Sequence, residues 1–520
     1  MVVIRADRSY LRTSFGESFI DYLNKFSDII GFSIECDDDI KVELNPDRPD
    51  LFSFYAINNA IKTYYHNNFI VKSPFDRSNV KFTSKLNDRY IMGFTASGHR
   101  LGNLFKHIIE YQERLHETIG KNRKKMAIGI HDLDKIKPPF LLKYADGISF
   151  ETYDGFKGSV NEIISGHPKG IEYGSLVKRP IVIIDDENDV LSMPPVINGK
   201  KSIVTEDTKN LFFDITGSDF NAVRSALMLF MYEMHYLNYK VSYADFPGLK
   251  GVLKYDFRPL KLNDNIIKRY LGISIGRENT IESLRRMGYR AEVSSYGYNV
   301  LVPGNRIDVM GDVDIIEDIA KAYGYNNIDE NVPETSGIAR HYKINDFKNI
   351  IRDIMISSGF QEIMTFVLSS NYYNNIKYDG GFKIENPKSI DFSVIRDRLY
   401  LNFLNFLNIN KRNPLPQKIF EIGNVISKTE EKTHLCAMIC DSETDYTSIY
   451  KILRYLSLRL SIDFHVEPMD IETLIPGRSG VIKINGVDAG IIGEMDPEIY
   501  TKFDIYNPIA FLEIDVESLI

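Results

Sequence analysis

Three cysteines, Cys36, Cys436 and Cys440, are all that 520 residues contain, and an odd number with only two near one another cannot close a disulfide framework. A reduced compartment fits that scarcity. Long apolar runs are also missing: the longest, Ala226 to Tyr232, is far below the ~20 residues of a membrane span. The start, MVVIRADRSYL, has charges where a signal peptide needs an apolar stretch, so no membrane association is expected and the cytoplasm is the expected location. Nor is there an excess of positive charge. The 63 Lys and Arg against 71 Asp and Glu leave a net charge of -8, which excludes a general nucleic-acid coat, because backbone binding needs cations to neutralise phosphates. Any RNA contact is local or shared with a partner. KNRKK, residues 121–125, is the best local basic cluster, open to reading as a phosphate contact or as a solvated loop.

The sequence has no repeat, low-complexity tract or heptad array, so its organisation rests on changes of pattern and on Pro and Gly punctuation. At roughly 150 residues per domain the length predicts about three or four domains, and four blocks emerge. Residues 1–80 read as an α+β domain with a helix from Glu17 to Ser27, then VELNPDRPDLFSFYAINNAIKTYY, where Asp50 is a candidate cap for an amphipathic helix. Residues 85–255 mix strands such as KMAIGIH and RPIVIID with a long helix that Ser218 or Asp219 would cap. Between them VLSMPPVINGKKSIVTEDTKNLFFDITGSD, residues 190–219, has the turn formers and small hydroxyls of a pocket lining. Residues 258–333 open with two short helical patterns joined by a Gly-containing turn, a helix-turn-helix-like spacing. Arg277, Asn279, Arg285 and Arg286 on its second helix are the residues a DNA reader would use, but such pairs are more often scaffolding and no DNA partner is expected. Residues 338–520 begin with a helix carrying Phe347, Ile350, Ile351 and Ile354 at helical spacing and ended by Gly359; KIFEIGNVI, THLCAMIC, GVIKINGVDAGIIGEM and PIAFLEIDV then read as strands of an antiparallel sheet. His434 with Cys436 and Cys440 superficially suggests a zinc site, but HLCAMIC alternates like a half-buried strand and has no fourth ligand nearby.

One stretch concentrates acid. RIDVMGDVDIIEDIAKAYGYNNI has five carboxylates between Asp308 and Asp318 with no Lys or Arg among them. Ile315, Ile316, Ile319 and Ala322 form a buried stripe, while Asp314, Glu317 and Asp318 share another face; Asp314 followed three residues later by Glu317 reads as a capping box. Capping leaves Asp308 unexplained, and several oxygens converging on the helix start would suit a hard cation with water completing its shell.

In order along the chain, ELNPDRPDL, VLSMPPVING with TKNLFFDITG, the acidic stretch, and KIFEIGNVI with GEMDPEIY resemble the β subunit of phenylalanyl-tRNA synthetase in its shorter archaeal or eukaryotic-like form. The resemblance extends over nearly all of the chain. No segment reads as the inserted OB-fold of the bacterial form or as its C-terminal anticodon-binding domain, and those functions are not carried over. The resemblance implies an α+β multidomain protein with an editing domain, the helix-turn-helix-like domain and a degenerate class II synthetase catalytic-like antiparallel sheet with helices, retained for assembly. It implies a tetramer of two α and two β chains in which α activates phenylalanine with ATP and charges the phenylalanine tRNA, while β hydrolyses mischarged tyrosyl-tRNA. Residues 338–520 fit a non-catalytic role on their own chemistry, since they have no convincing Arg-x-Glu or Gly-rich arginine motif for the triphosphate. Ser192, Asp214 and Thr216 match the family's editing pocket; their types can hold a water or bond the substrate's amino group or phenol, and turn formation is the plain alternative. His131, His167 and Lys169 are further candidates for facing the tRNA end. Asp308, Asp314, Glu317 and Asp318 match the family's Mg2+ ligands near the boundary with α, and Asp312 matches none. A free-standing nucleic-acid-binding or regulatory protein with a degenerate synthetase fold is the competing expectation, and a stand-alone trans-editing hydrolase a third.

Overall fold

Residues 2–37, 39–68, 70, 72–330, 332, 337, 339–370, 380–426 and 430–520 are described by a computed structural model. The chain divides into two compact units, Met1–Val332, which takes in the first three blocks read from the sequence, and Pro333–Ile520. The reason lies in the core: buried apolar residues from Val2 to Ala322 form one continuous cluster, so the first three blocks share a single interior.

A nine-stranded sheet dominates the first unit. Its order is Ile197–Asn198, Val190–Met193, Ile181–Ile184, Phe140–Tyr144, Asp76–Ser84, Lys240–Asp245, Tyr90–Ser97, Asn210–Gly217 and Met126–Asp132. The Asp76–Ser84 strand pairs in parallel with both of its neighbours, and this sheet therefore begins before residue 85. Its two edge strands meet, since Asn198 Nδ2 on one donates to Ile130 O on the other at 3.2 Å. Curling of this kind leaves neither edge open for unwanted pairing.

The helix Phe220–Tyr236 is buried on nearly every side, as its apolar composition requires, and lies against the Tyr90–Ser97 and Asn210–Gly217 strands. Asp219 caps it, accepting from the Asn221 and Ala222 N–H groups. Phe94 and Phe213 stack at 4.2 Å beneath it, and Phe230 reaches down to 4.9 Å from Phe213. In the N-terminal part the helix expected from Glu17 to Ser27 is found as Phe19–Ile30, and a further helix, Arg8–Phe15, precedes it and ends at Gly16, φ 99°. Asp50 is not a cap. It is salt-bridged to Arg48, and Ser53 caps the helix Phe54–His66. The helices Asp264–Leu271 and Arg277–Arg286 form the expected pair, beside a three-stranded sheet of Phe257–Leu262, Tyr298–Pro303 and Arg290–Val293.

In the second unit a seven-stranded sheet, antiparallel except at its Gln361–Glu362 edge, has helices on both faces. Alternation along Glu431–Cys440 sends Cys436, Met438 and Cys440 to the side of Tyr400 and Phe403, and Leu435, Ala437 and Ile439 to the side of Ile351 and Leu453. The strand is thus buried on both faces rather than half-exposed, and both cysteines are core residues. His434 Nδ1 is 2.7 Å from Glu513, well away from metal chemistry. On the helix Lys343–Ser357, Ile351 and Ile354 are buried as expected, whereas Ile350 is exposed and Met355 takes its place in the core.

Phe213→Ala is expected to destabilise the first unit by about 3–5 kcal/mol, the usual cost of emptying a packed aromatic site. Amide hydrogen exchange along Asn210–Gly217 measures it, and unchanged exchange would show that the stacked pair does not hold the sheet to the helix.

Candidate functional site

The Asn210–Gly217 strand sorts its side chains by parity: Phe213 packs on the helix side, while Phe212, Asp214 and Thr216 share the opposite face. Directly across from Asp214 in register stands Gly129, and across from Phe212 stands His131. A Cβ on Gly129 would come within 1.9 Å of Asp214 Oδ2, so the glycine makes the space that the carboxylate occupies. His131 Nε2 lies 2.7 Å from that same oxygen and His131 Nδ1 lies 2.8 Å from Ser202 Oγ. His131 and Asp214 are 0% and 1% exposed, which makes a partner for the carboxylate obligatory. His131 thus bridges Asp214 Oδ2 and the Ser202 hydroxyl, whose Oγ also lies 3.1 Å from Leu191 O. Ser192 Oγ points at Oδ2 from 3.5 Å, a long contact. Both interactions converge on Oδ2, and Oδ1 has no hydrogen bond among the described residues.

That guest space is a cavity of about 400 Å³, lined by Asp214, Ser192, Gly129, Ile109, Tyr153 and Lys169 among others. The turn through the cis Pro194–Pro195 bond forms one wall and the helix Leu104–Glu117 another. Arg123 fastens the two: its Nη1 donates to Pro195 O at 3.0 Å and its Nη2 to Glu113 at 2.6 Å. Burial alone would raise Glu113, but His116 and Arg123 beside it hold its carboxyl down to about 2. Such a volume, mostly apolar with a few placed polar groups, suits one amino-acid side chain with its ester.

Of the three expected pocket residues, Ser192 and Asp214 come together in this cavity. Thr216 does not line it; one pleat farther along the strand, it opens onto an adjoining pocket of about 60 Å³ that shares Arg123 and the Pro194–Pro195 turn. His131 faces no solvent and acts through Asp214, while His167 is buried against Asp154 at 2.8 Å and caps the helix Pro168–Tyr173. Lys169 does line the cavity. Gly129 and Ser202 escape a reading of the sequence, although a glycine inside KMAIGIH is itself a sign of close backbone approach; Arg123 belongs to the KNRKK cluster, but its place in the cavity wall was not expected.

The acidic stretch is arranged differently from the expectation. Arg306 donates to Asp308 through Nη2 at 2.7 Å and to Asp318 at 2.6 Å, with Tyr289 O–H also donating to Asp318. Arg48 lies 3.8 Å from Asp318 and 4.0 Å from Asp308. Burial opposes ionisation of Asp308, and Arg306 with Arg48 nonetheless holds its carboxyl below the usual range. Asp318 is buried rather than sharing an open face. Asp314 sits at the third position of the helix Asp312–Tyr323 and accepts from the Met310 and Gly311 N–H groups, so it caps the helix start from within, and no box pairs Asp314 with Glu317. Glu317 turns outward to Lys321 at 2.8 Å. The four carboxylates therefore do not fit one magnesium ion held by all of them: two are neutralised by arginine, one is spent on backbone N–H groups and one faces away. Among the described residues the carboxylates that do cluster are Asp185, Glu187 and Asp189: Asp185 is buried and accepts backbone N–H groups, while Glu187 and Asp189 pair with Lys137 and Lys201 on the surface. In the helix pair, Arg277 contacts Asp264, Asn279 bonds Ile275 O and Arg286 pairs with Glu282, all local contacts at the surface of the pair itself. In the second unit Arg396 is buried against Glu421 at 2.8 Å and donates to Thr365, so this arginine has no free charge for a triphosphate.

Residues 117–231 match the family described as B3/4 domain, residues 260–325 the tRNA synthetase B5 domain, and residues 328–516 the phenylalanyl tRNA synthetase beta chain CLM domain. A phenylalanine–tRNA ligase beta subunit from Thermoplasma volcanium is 41% identical over 534 aligned residues, covering 100% of this chain and 99% of its own. The one from Archaeoglobus fulgidus is 32% identical, covering 93% and 92%. Among solved structures, an N-terminal fragment of the phenylalanyl-tRNA synthetase beta-subunit from Pyrococcus horikoshii matches with a TM-score of 0.56 at 28% identity, covering 62% of this chain and 100% of the fragment. These likenesses define the class as a component of an aminoacyl-tRNA synthetase. Within that class the chain belongs to the family of phenylalanine–tRNA ligase β subunits.

Arg306→Met is expected to destabilise the first unit by about 3–5 kcal/mol, because it leaves Asp318 and Asp308 buried without their counter-charge. Chemical denaturation measures the loss; a cost under about 1 kcal/mol would mean that the carboxylates are held by something other than arginine. Gly129→Ala is expected to push Asp214 and His131 out of register, seen as displaced imidazole resonances in a sample that stays folded. Unmoved resonances would remove the close approach from the account.

Proposed function

We propose that the chain is the β subunit of a phenylalanine–tRNA ligase and that the cavity beside Asp214 hydrolyses tyrosine wrongly esterified to the phenylalanine tRNA. The observation that carries the reading is a buried carboxylate, one oxygen fixed by His131, in the wall of a 400 Å³ space of amino-acid size. The need for such a site is chemical. A synthetic pocket that accepts phenylalanine rejects an added hydroxyl only weakly, whereas a second site that hydrogen-bonds the phenol can select tyrosine strongly. Asp214 Oδ1 accepts a hydrogen bond from a water beside the ester carbonyl and draws off its proton as the carbonyl is attacked; His131 and Ser192 keep the carboxylate aimed. The ester's C–O bond to the ribose breaks, releasing free tyrosine and the tRNA.

Phenylalanine activation with ATP and magnesium then belongs to a separate α chain, in an assembly of two α and two β. The buried Arg396–Glu421 pair supports a catalytic-like, non-catalytic second unit kept for assembly. Magnesium held by this chain's four expected ligands is no part of the reading, since the arginines already occupy that role.

Asp214→Ala in the co-expressed α and β complex is expected to slow deacylation of tyrosyl-tRNA about 10²-fold or more, the usual share of a positioned base, with phenylalanine charging retained. Deacylation at the parental rate would remove Asp214 from the chemistry and the hydrolytic reading with it.

A further inference from the structure

We infer that the small pocket behind the Pro194–Pro195 turn is a phosphate subsite, built from Arg89, Arg123, Lys124, Lys125 and Thr216, for the RNA strand whose esterified end enters the larger cavity. The inference rests on the hydrolytic reading above and assigns how that site holds its polymeric substrate.

Three observations lead there. The first is charge. Four cations line a space of about 60 Å³; Arg123 is balanced by Glu113 and Lys125 by Asp219, each at 2.6 Å, while Arg89 and Lys124 make no ion pair among the described residues. The pocket therefore keeps a surplus of two positive charges in a chain whose net charge is -8. Phosphate oxygens are the natural complement of such a surplus.

The second is backbone conformation. Lys121, Asn122 and Arg123 have φ of 48°, 53° and 62°, three consecutive non-glycine residues in the left-handed region. That region is unfavourable for side chains with a Cβ, and runs of it persist only where the surroundings impose them. Here the turn is pinned by Arg123 N–H to His116 O and Lys125 N–H to Gly120 O, and its result is to deliver Arg123, Lys124 and Lys125 to one place.

The third is an idle hydroxyl. Thr216 is 3% exposed, lines the pocket, and its Oγ1 makes no hydrogen bond within the described residues. The hydroxyl is not sealed from solvent, so it is open to a hydrogen bond with a guest in the pocket. Because Thr216 is two residues from Asp214 on the same face of one strand, the two side chains stand roughly 7 Å apart along it, a spacing comparable to one nucleotide step. The 3′-terminal ester then lies at Asp214 while the phosphodiester of the same nucleotide meets Thr216 and the cations. Thr216 is on this account a binding group and takes no part in moving protons.

The test uses the α and β complex carrying Arg89→Glu with Lys124→Glu, and separately Thr216→Val. Two substrates are compared, tyrosyl-tRNA and the phosphate-free ester 3′-O-tyrosyl-adenosine; affinity for an uncharged single-stranded RNA ending in CCA is read alongside, as a function of salt. The double variant is expected to raise KM for tyrosyl-tRNA at least tenfold with kcat within twofold, to weaken RNA binding with a shallower salt dependence, and to leave the phosphate-free ester unaffected. Thr216→Val is expected to raise KM a few-fold with kcat retained. Unchanged KM and unchanged RNA affinity, in a parent complex that does deacylate, would overturn the phosphate subsite and leave the hydrolytic reading standing. A parent complex that deacylates neither substrate would overturn the hydrolytic reading, while the RNA-binding arm still decides the subsite. Inorganic phosphate that binds the parent but not the double variant, without competing with the RNA, would assign the pocket to a free anion and overturn the proposal.

Discussion

A carboxylate can stay ionised inside a protein only where hydrogen bonds replace the water it loses, and the first unit is organised around one such group. Asp214 fills the gap opened by the missing side chain of Gly129 and takes its compensation from His131, one pleat along the neighbouring strand. That arrangement demands strict register between Asn210–Gly217 and Met126–Asp132, since a slip by one residue would turn Asp214 toward the helix and Phe213 toward the cavity. The aromatic stack of Phe94, Phe213 and Phe230 on the other face penalises that slip. Packing on one side of the sheet thus keeps the chemistry in place on the other.

The same residue type serves three ends in one chain because its surroundings differ. Asp214 has His131 on one oxygen and no hydrogen bond at the other among the described residues, which suits it to act on a guest. Asp308 and Asp318 are closed off by Arg306 and Arg48, which also ties the NPDRPDL segment to the Asp312–Tyr323 helix. Asp314 is occupied with the N–H groups of a helix start. Only the first arrangement sets its carboxylate in the wall of the larger cavity.

Much of this was legible in the sequence. Periodicity predicted the helices Asp264–Leu271, Arg277–Arg286 and Lys343–Ser357, the Asp219 cap and the buried stripe of Ile315, Ile316, Ile319 and Ala322. Motif order pointed to the family, and the segment from Val190 to Asp219 to the cavity. What stayed hidden depends on groups distant in sequence. Arg48 and Arg306 lie 258 positions apart, so nothing in the acidic stretch itself discloses that its charge is already met. Likewise the Gly129–Asp214 approach and the Ser202–His131 bond appear only when strands pair and the sheet curls. That one core runs through the first three blocks is also hidden, since sequence composition does not report where cores merge.

The second unit complements the first by what its polar groups are committed to. Arg396, Glu421 and Thr365 form a closed buried network, and Glu513 accepts from the Leu399 and Tyr400 N–H groups, so both carboxylates are tied to the fold. The proposed function divides the labour accordingly: hydrolysis of the ester in the first unit, assembly in the second, activation in another chain. The most direct measurement is the ratio of kcat/KM for deacylation of tyrosyl-tRNA to that for phenylalanyl-tRNA, both on the phenylalanine tRNA, by the α and β complex. The account predicts a preference for tyrosine of about 10²-fold or more, since a site that hydrogen-bonds the phenol disfavours a guest without one; a ratio near one would contradict it.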